Sequence, residues 1–387
     1  MRAESYFAVC PLGLESILEG ELLRAGASQC IVKRGAVAFA ATEAAAMRAA
    51  LTSRIASRLL LKVDTSDYYD EEDIYNFACR TKWERYFGPE KTVRIDINAH
   101  RAPLNSLDFT LLRIKDGLCD RFNHFMQTRP NIDRLHPEIR IFAFVDSKDC
   151  TFYLDLCGEA LFKRGWRRDK GEAPLKENLA AGLLALSGWN PELPLCDIFC
   201  GSGTIAIEAA SIAMNKAPGL NRRFLFENLT PFDHDLWLEL KDDAKAAVNP
   251  FADMRIHASD ISSIVVDKAR ENARAAGLAE AMASGRLTFD VCDARQALPL
   301  SQPGLVVSNP PYGEQSNPKS ASVAAMMKDV ADNLKRQWPG WTAWLLTSDR
   351  NLPRQMRLSE SRKVPLFNGP LECRFFAFEL VNGTYRS

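Results

Sequence analysis

Five short apolar runs alternate with helical stretches through the second half of the chain: Leu195–Phe199, Ile256–Asp260, Leu287–Cys292, Leu305–Ser308 and Trp341–Thr347. Runs this short and apolar read as strands buried on both faces. Helical spacing marks Pro174–Gly188, Ile205–Met214, Ser263–Ala276 and Ser322–Arg336. Strands alternating with helices imply a doubly wound parallel sheet. Val364–Phe367 and Arg374–Leu380, around the turn Asn368-Gly369-Pro370, add a hairpin at its edge. The expected fold class is therefore α/β.

Each strand in this series ends on residues suited to a ligand. Asp197-Ile198-Phe199-Cys200-Gly201-Ser202-Gly203-Thr204 reads as a strand, a glycine turn and a helix start. Glycines there let the backbone approach a ligand closely. Ala206 stands where a dinucleotide fingerprint carries its third glycine, which counts against NAD. Asp260 closes the second strand, where a carboxylate can hold ribose hydroxyls, and Asp293 follows the third. Each acid alone also fits a helix N-cap. Together they line the strand ends where open α/β sheets bind ligands. The fourth strand ends in Ser308-Asn309-Pro310-Pro311-Tyr312-Gly313. Two prolines forbid both ladder bonds and a helix start, so the motif is a stiff platform. It presents one amide, exposed carbonyls and one ring, which suits a planar amine-bearing group.

At 387 residues the chain exceeds one ordinary domain. Lys+Arg and Asp+Glu are both 49, so any nucleic-acid signal must be local. Ten cysteines without a C-x-x-C pair read as reduced thiols in a cytoplasmic protein. With five dispersed histidines, no metal site is expected. The N-terminus lacks a signal-peptide pattern, and no run of about 20 apolar residues is present, so no membrane span is expected.

The first half reads as a smaller α+β region. Tyr6–Cys10 is a strand, Gly13–Ala25 a helix, Ile31–Lys33 and Ala36–Ala40 paired strands, Ala44–Arg58 a helix and Leu59–Val63 a strand. Residues 68–88 are aromatic-rich and read as helical, with core packing the favoured role for Tyr75, Phe77, Trp83, Tyr86 and Phe87. Ser106–Met126 is a strong helix whose polar side carries Arg113, Lys115 and Arg121, either an RNA contact or a solvated face. Ile139–Val145 and Cys150–Leu156 form a hairpin. Lys163-Arg164-Gly165-Trp166-Arg167-Arg168-Asp169-Lys170 is the densest positive run. It reads either as an exposed linker or as a phosphate contact with a stacking ring.

Asp197, the glycine turn, Asp260, Asp293 and Asn309-Pro310-Pro311-Tyr312 resemble an S-adenosylmethionine methyltransferase acting on an exocyclic amine. The likeness runs along nearly the whole chain. Phe7–Ala25, Ser53–Arg58, Ala173–Ala181, Ala217-Pro218-Gly219-Leu220 and Asn368–Cys373 resemble the THUMP-domain 23S rRNA guanine-N2 methyltransferases. Ile198 departs from the proline usual in that family. The resemblance implies a ferredoxin-like segment at 1–45, a THUMP RNA-binding domain at 46–158, a basic linker at 159–172 and a Rossmann-like methyltransferase domain at 173–387. It implies cofactor contacts at Pro174, Lys176, Glu177, Asp197, Cys200, Gly201, Ser202, Gly203, Thr204, Asp260, Ile261, Asp293, Ala294 and Asn309. Asn309, Pro310, Pro311 and Tyr312 would form the methyl-acceptor site. Lys163, Arg164, Trp166, Arg167, Arg168, Arg113 and Lys115 would face RNA. The implied partner is 23S rRNA or a large-subunit assembly intermediate, with no obligatory protein partner. Three alternatives share these features: a tRNA guanine methyltransferase, a DNA adenine-N6 or protein-glutamine methyltransferase, and a non-catalytic RNA-binding assembly factor.

Overall fold

The computed structural model describes residues 3–167, 175–312 and 320–381. Two seven-stranded sheets dominate it. The first is built from β1 (Glu4–Val9), α1 (Glu15–Ala25), β2 (Ser28–Lys33), β3 (Ala36–Ala41), α2 (Glu43–Thr52), β4 (Arg58–Asp67), α3 (Glu71–Arg80), β5 (Val93–Ala99), α4 (Leu107–Met126), β6 (Ile139–Val145) and β7 (Asp149–Asp155). Its strand order is β2-β3-β1-β4-β7-β6-β5. Strand β4 pairs with β1 on one side and β7 on the other, so the two N-terminal regions expected from the sequence share one sheet.

Helix α2 stops at Thr52, short of the expected Arg58. The cause is Glu21: its carboxylate accepts the Ser53 hydroxyl at 2.6 Å and the backbone N–H groups of Arg54 and Ile55 at 3.1 and 3.2 Å. Those donors are drawn out of the helical ladder. Residues 68–88 are helical only over α3, which Asp70 caps, with a 3₁₀ turn at Trp83–Arg85. Of the five aromatics expected in a core, three are buried there: Phe77 stacks on Phe152 at 4.4 Å, and Trp83 and Phe87 are fully buried; Tyr86 is half-buried against it, and half-buried Tyr75 instead lies under Arg113.

The second sheet follows α5 (Glu177–Ser187). It comprises β8 (Leu195–Asp197), α6 (Thr204–Ala213), α7 (His234–Ala246), β9 (Ile256–Asp260), α8 (Ser263–Ala275), α9 (Ala279–Ala283), β10 (Leu287–Val291), β11 (Leu305–Ser308), α10 (Ser320–Gln337), β12 (Thr342–Thr347), α11 (Leu352–Met356), β13 (Arg362–Asn368) and β14 (Leu371–Glu379). The order is β10-β9-β8-β11-β12-β14-β13, parallel from β10 to β12 and antiparallel beyond. The chain order reverses between β8 and β11, which opens a crevice at their C-terminal ends. Helix α7 lies within residues 215–254, a stretch its polar composition hides; Trp237 and Leu240 are its only buried side chains.

One apolar cluster runs through both halves. Leu14 packs against Gly182 of α5, and the Asn178 amide donates to Ile55 O at 3.1 Å and Ser57 Oγ at 2.9 Å. Gly219 presses on the end of α2: a Cβ there would lie 2.8 Å from both Cα and O of Leu51. Its own N–H donates to that oxygen at 2.9 Å. Gly219→Ala is expected to lower unfolding free energy by about 1–3 kcal/mol, the usual range for overpacking. Urea unfolding checks this, and an unchanged midpoint would show that α2 yields without cost.

Candidate active site

The crevice between β8 and β11 gathers most of the residues singled out in the sequence. Asp197 closes β8 and is wholly buried. Its Oδ1 accepts the Ser308 hydroxyl at 2.7 Å and the Phe199 N–H at 3.3 Å. Ser308 in turn accepts the Ile198 N–H at 2.9 Å, so one hydroxyl ties the exits of both strands. A proline at 198 has no such donor. Burial, with help from Asp260, raises the Asp197 carboxyl to about 7. Ionising it in place therefore costs stability as pH climbs from the ordinary carboxylate range through that value.

The glycine turn leaves β8 as expected. Cys200 N–H donates to Ser259 O at 2.9 Å, and Gly203 N–H closes the turn on Cys200 O at 2.8 Å. Gly201 and Gly203 both take positive φ. A Cβ on Gly203 would crowd Ala269 and Phe289, whereas one on Gly201 would meet nothing within 4 Å. The close approach at Gly201 is thus open to a ligand. Asp260 braces the turn by accepting Gly201 N–H at 3.1 Å, and its other oxygen accepts Ser262 N–H at 3.1 Å. Ionised carboxylates retain further lone pairs for a ligand. Ile261, next in line, is 67% exposed, an apolar surface beside the carboxylate. Asp293 is clasped by Arg295, which holds its carboxyl below the usual range. Ala294 is buried and its carbonyl accepts from Asn333 at 3.3 Å.

At the end of β11 the Tyr312 hydroxyl donates to Asn309 Oδ1. That bond fixes which way the amide faces. Tyr312 is half-buried, and its desolvation raises its phenol pKa. Pro310 and Pro311 follow without ladder pairing, and Gly313 lies outside the described residues.

The described part of the basic run, residues 163–167, is not a continuous exposed patch. Trp166 is 6% exposed, inside the core. Arg164 is buried against Glu208 at 3.3 Å and donates to Leu161 O and Arg54 O at 2.7 Å each. Arg167 turns into the crevice: it bonds Glu177 Oε1 at 3.0 Å, Ser202 Oγ and Thr204 Oγ1 at 2.8 Å each, and Leu175 O at 3.2 Å. An RNA contact by these three side chains is disfavoured by burial, because Trp166 is 6% exposed and the Arg164 and Arg167 side chains, 4% and 13% exposed, turn to partners inside the protein. Apolar packing of the Trp ring and pairing with buried carboxylates outweigh the exposure that a dense charge run suggests. Lys163 is exposed and pairs with Glu159 at 3.0 Å. On α4, Arg113 pairs with Glu72 and covers the Tyr75 ring, and Lys115 pairs with Asp116 at 2.7 Å. Lys176 stands at the N-cap position of α5 without a side-chain cap bond, and its ammonium lies 4.9 Å from the Phe162 ring centre. Arg168 and Pro174 lie outside the described residues. Sequence reasoning missed Ser308 and the inward turn of Arg167; the positions of their partners across the fold carry that information, not their own neighbours in the chain.

Residues 164–376 match the RMKL-like methyltransferase domain, residues 68–155 the THUMP domain and residues 5–60 the RlmL ferredoxin-like domain. The chain is 36% identical over 388 residues to a protein of Shewanella baltica described as ribosomal RNA large subunit methyltransferase K/L. That match covers 99% of this chain and 54% of the relative, so the chain spans about half the length of the curated relative. A putative methyltransferase solved with SAH superposes with a TM-score of 0.90 at 26% identity, covering 99% of this chain and 100% of that one. A possible methylase from Clostridium difficile 630 gives 0.88 at 28% identity, with full coverage of both chains. The crevice, its glycine turn and the Asn309 platform therefore lie in a member of the RMKL-like methyltransferase family that carries ferredoxin-like and THUMP domains ahead of its methyltransferase domain.

Proposed function

We propose that the chain transfers the methyl group of S-adenosylmethionine to the exocyclic N2 amine of a guanine in 23S rRNA. The observation that carries this reading is the Asn309 amide, held by Tyr312 at the mouth of the β8–β11 crevice. The open face of Gly201, the Asp260 carboxylate and exposed Ile261 fit an adenosine-bearing cofactor. The buried acids there suit its positive charge. The large-subunit rRNA substrate follows the relative of Shewanella baltica, and the THUMP match supports an RNA partner.

The cofactor supplies a methyl group on a sulfonium, already a good leaving group. The protein's task is to position the amine. Asn309 Oδ1 has two lone pairs; Tyr312 takes one, and the other accepts an amine N–H. The Pro310 carbonyl accepts the second N–H. Both bonds turn the nitrogen lone pair away from the ring and strengthen as positive charge develops on nitrogen. The Tyr312 ring forms a wall for a base flipped out of its stack.

The reading is tested by incubating the protein with labelled S-adenosylmethionine and unmodified ribosomal RNA, then mapping the methyl group. Label on guanine N2 of the large-subunit RNA is expected; label only on adenine N6 or on tRNA would overturn it. Asn309→Ala is expected to slow transfer by about 10²–10³-fold, as when one preorganised polar partner is lost. S-adenosylmethionine binding, followed by calorimetry, would persist; transfer near the wild-type rate would refute the role of the amide. Binding itself should be linked to pH. A cationic ligand favours ionised Asp197, which otherwise holds its proton up to about 7. Affinity is expected to rise with pH towards that value and level off above it. Asp197→Asn should remove the slope, and a slope that survives would assign it elsewhere.

A further inference from the structure

Arg167 lies in the segment that joins the two halves, and its guanidinium lies on the glycine turn. Four of its five N–H donors are engaged there: one on Glu177, one on Ser202, one on Thr204 and one on the Leu175 carbonyl. The fifth, on Nη1, has no partner among the described residues. The surrounding acids are Glu177, Asp197 and Asp260, all within the turn or directly beside it. A ligand that brings its own carboxylate into such a place needs a cation to meet it.

We propose that Arg167 receives the carboxylate of the methionine end of S-adenosylmethionine. This rests on the cofactor reading given above and adds the group that recognises the amino-acid end. Three features support it. The remaining Nη1 N–H can donate one charge-assisted hydrogen bond to a carboxylate oxygen. Ser202 and Thr204 hold the fork in place, so little rotamer freedom is lost on binding. Glu177 pairs with Arg167 and is 4% exposed, which places an anion beside the cation. That pair is the inverse of the ligand's ammonium and carboxylate. The side chain of Arg167 is 13% exposed, enough to touch a ligand on the turn and too little to reach a nucleic-acid backbone.

Decarboxylated S-adenosylmethionine keeps adenosine, sulfonium and ammonium and lacks only the carboxylate, so it separates this contact from a brace on the loop. Calorimetry on the whole chain measures both ligands. The wild type is expected to bind S-adenosylmethionine about 10- to 100-fold more tightly than the analogue, the range for a charged hydrogen bond. Arg167→Ala should forfeit that preference, costing S-adenosylmethionine about 10- to 100-fold more affinity than it costs the analogue. Arg167→Lys, which keeps the charge without the fork, should lose part of it and serves if the alanine variant does not fold. Equal losses on both ligands would reduce Arg167 to a brace and overturn the proposal, as would a wild type that binds both equally. A wild type that binds neither would overturn the cofactor reading and this proposal together.

Discussion

Two guanidinium groups facing one buried carboxylate set the relation between the halves of this protein. Glu208 on α6 is 2% exposed, and Arg54 and Arg164 approach it at 3.7 and 3.3 Å. Charges removed from water are tolerable only when geometry is good and the remaining donors are used. Here they are: Arg54 donates to Ser211 O at 3.0 Å and Lys216 O at 2.6 Å, and Arg164 donates back to Arg54 O. These carbonyls come from both sides of the junction, so the two guanidinium groups find these acceptors only in one docking arrangement, while Glu208 Oε2 is held by charge alone, without a hydrogen bond. Apolar burial around Leu14, Leu51 and Leu183 supplies non-directional stabilisation; the ionic cluster supplies direction.

The same logic recurs on a smaller scale in the crevice. Ser308 is placed by a strand, yet its hydroxyl reads both the backbone of Ile198 and the carboxyl of Asp197. Strands β8 and β11 diverge at this point, and without a polar bridge their ends would be held only by ladder bonds further back. The isoleucine that departs from the proline of the resembling family thus supplies a donor that Ser308 uses. Arg167 does for the glycine turn what Ser308 does for the strands, tying its hydroxyls to the start of α5.

Most of the methyltransferase half was legible in the sequence because its signals are local. β9 and β11 match their expected bounds, and the glycine turn and the Asn309 platform stand where spacing put them. Non-local interactions account for the misses. The end of α2 depends on Glu21, over thirty positions upstream. Arg164 and Arg167 read as part of a surface patch because charge density is visible and pairing partners are not; Glu208 and Glu177 decide the outcome for them. Segments that carried the resemblance, among them Ser53–Arg58, Ala173–Ala181 and Ala217–Leu220, supply many of the junction residues, including Arg54, Asn178 and Gly219.

The junction also has a consequence for how the chain acquires its shape during synthesis. The first sheet has all its strands once Asp155 has been made. Leu14 then still lacks Gly182, the end of α2 lacks Gly219, and Arg54 lacks Glu208 and the Ser211 and Lys216 carbonyls. Until those later residues emerge, the nascent N-terminal half carries an apolar face and an unpaired buried-type cation toward solvent. Such faces are where growing chains are captured by chaperones or by one another. Synthesis through Gly219, just past α6, therefore marks a step in assembly: the point at which the first half of the protein gains the surface it was shaped to meet.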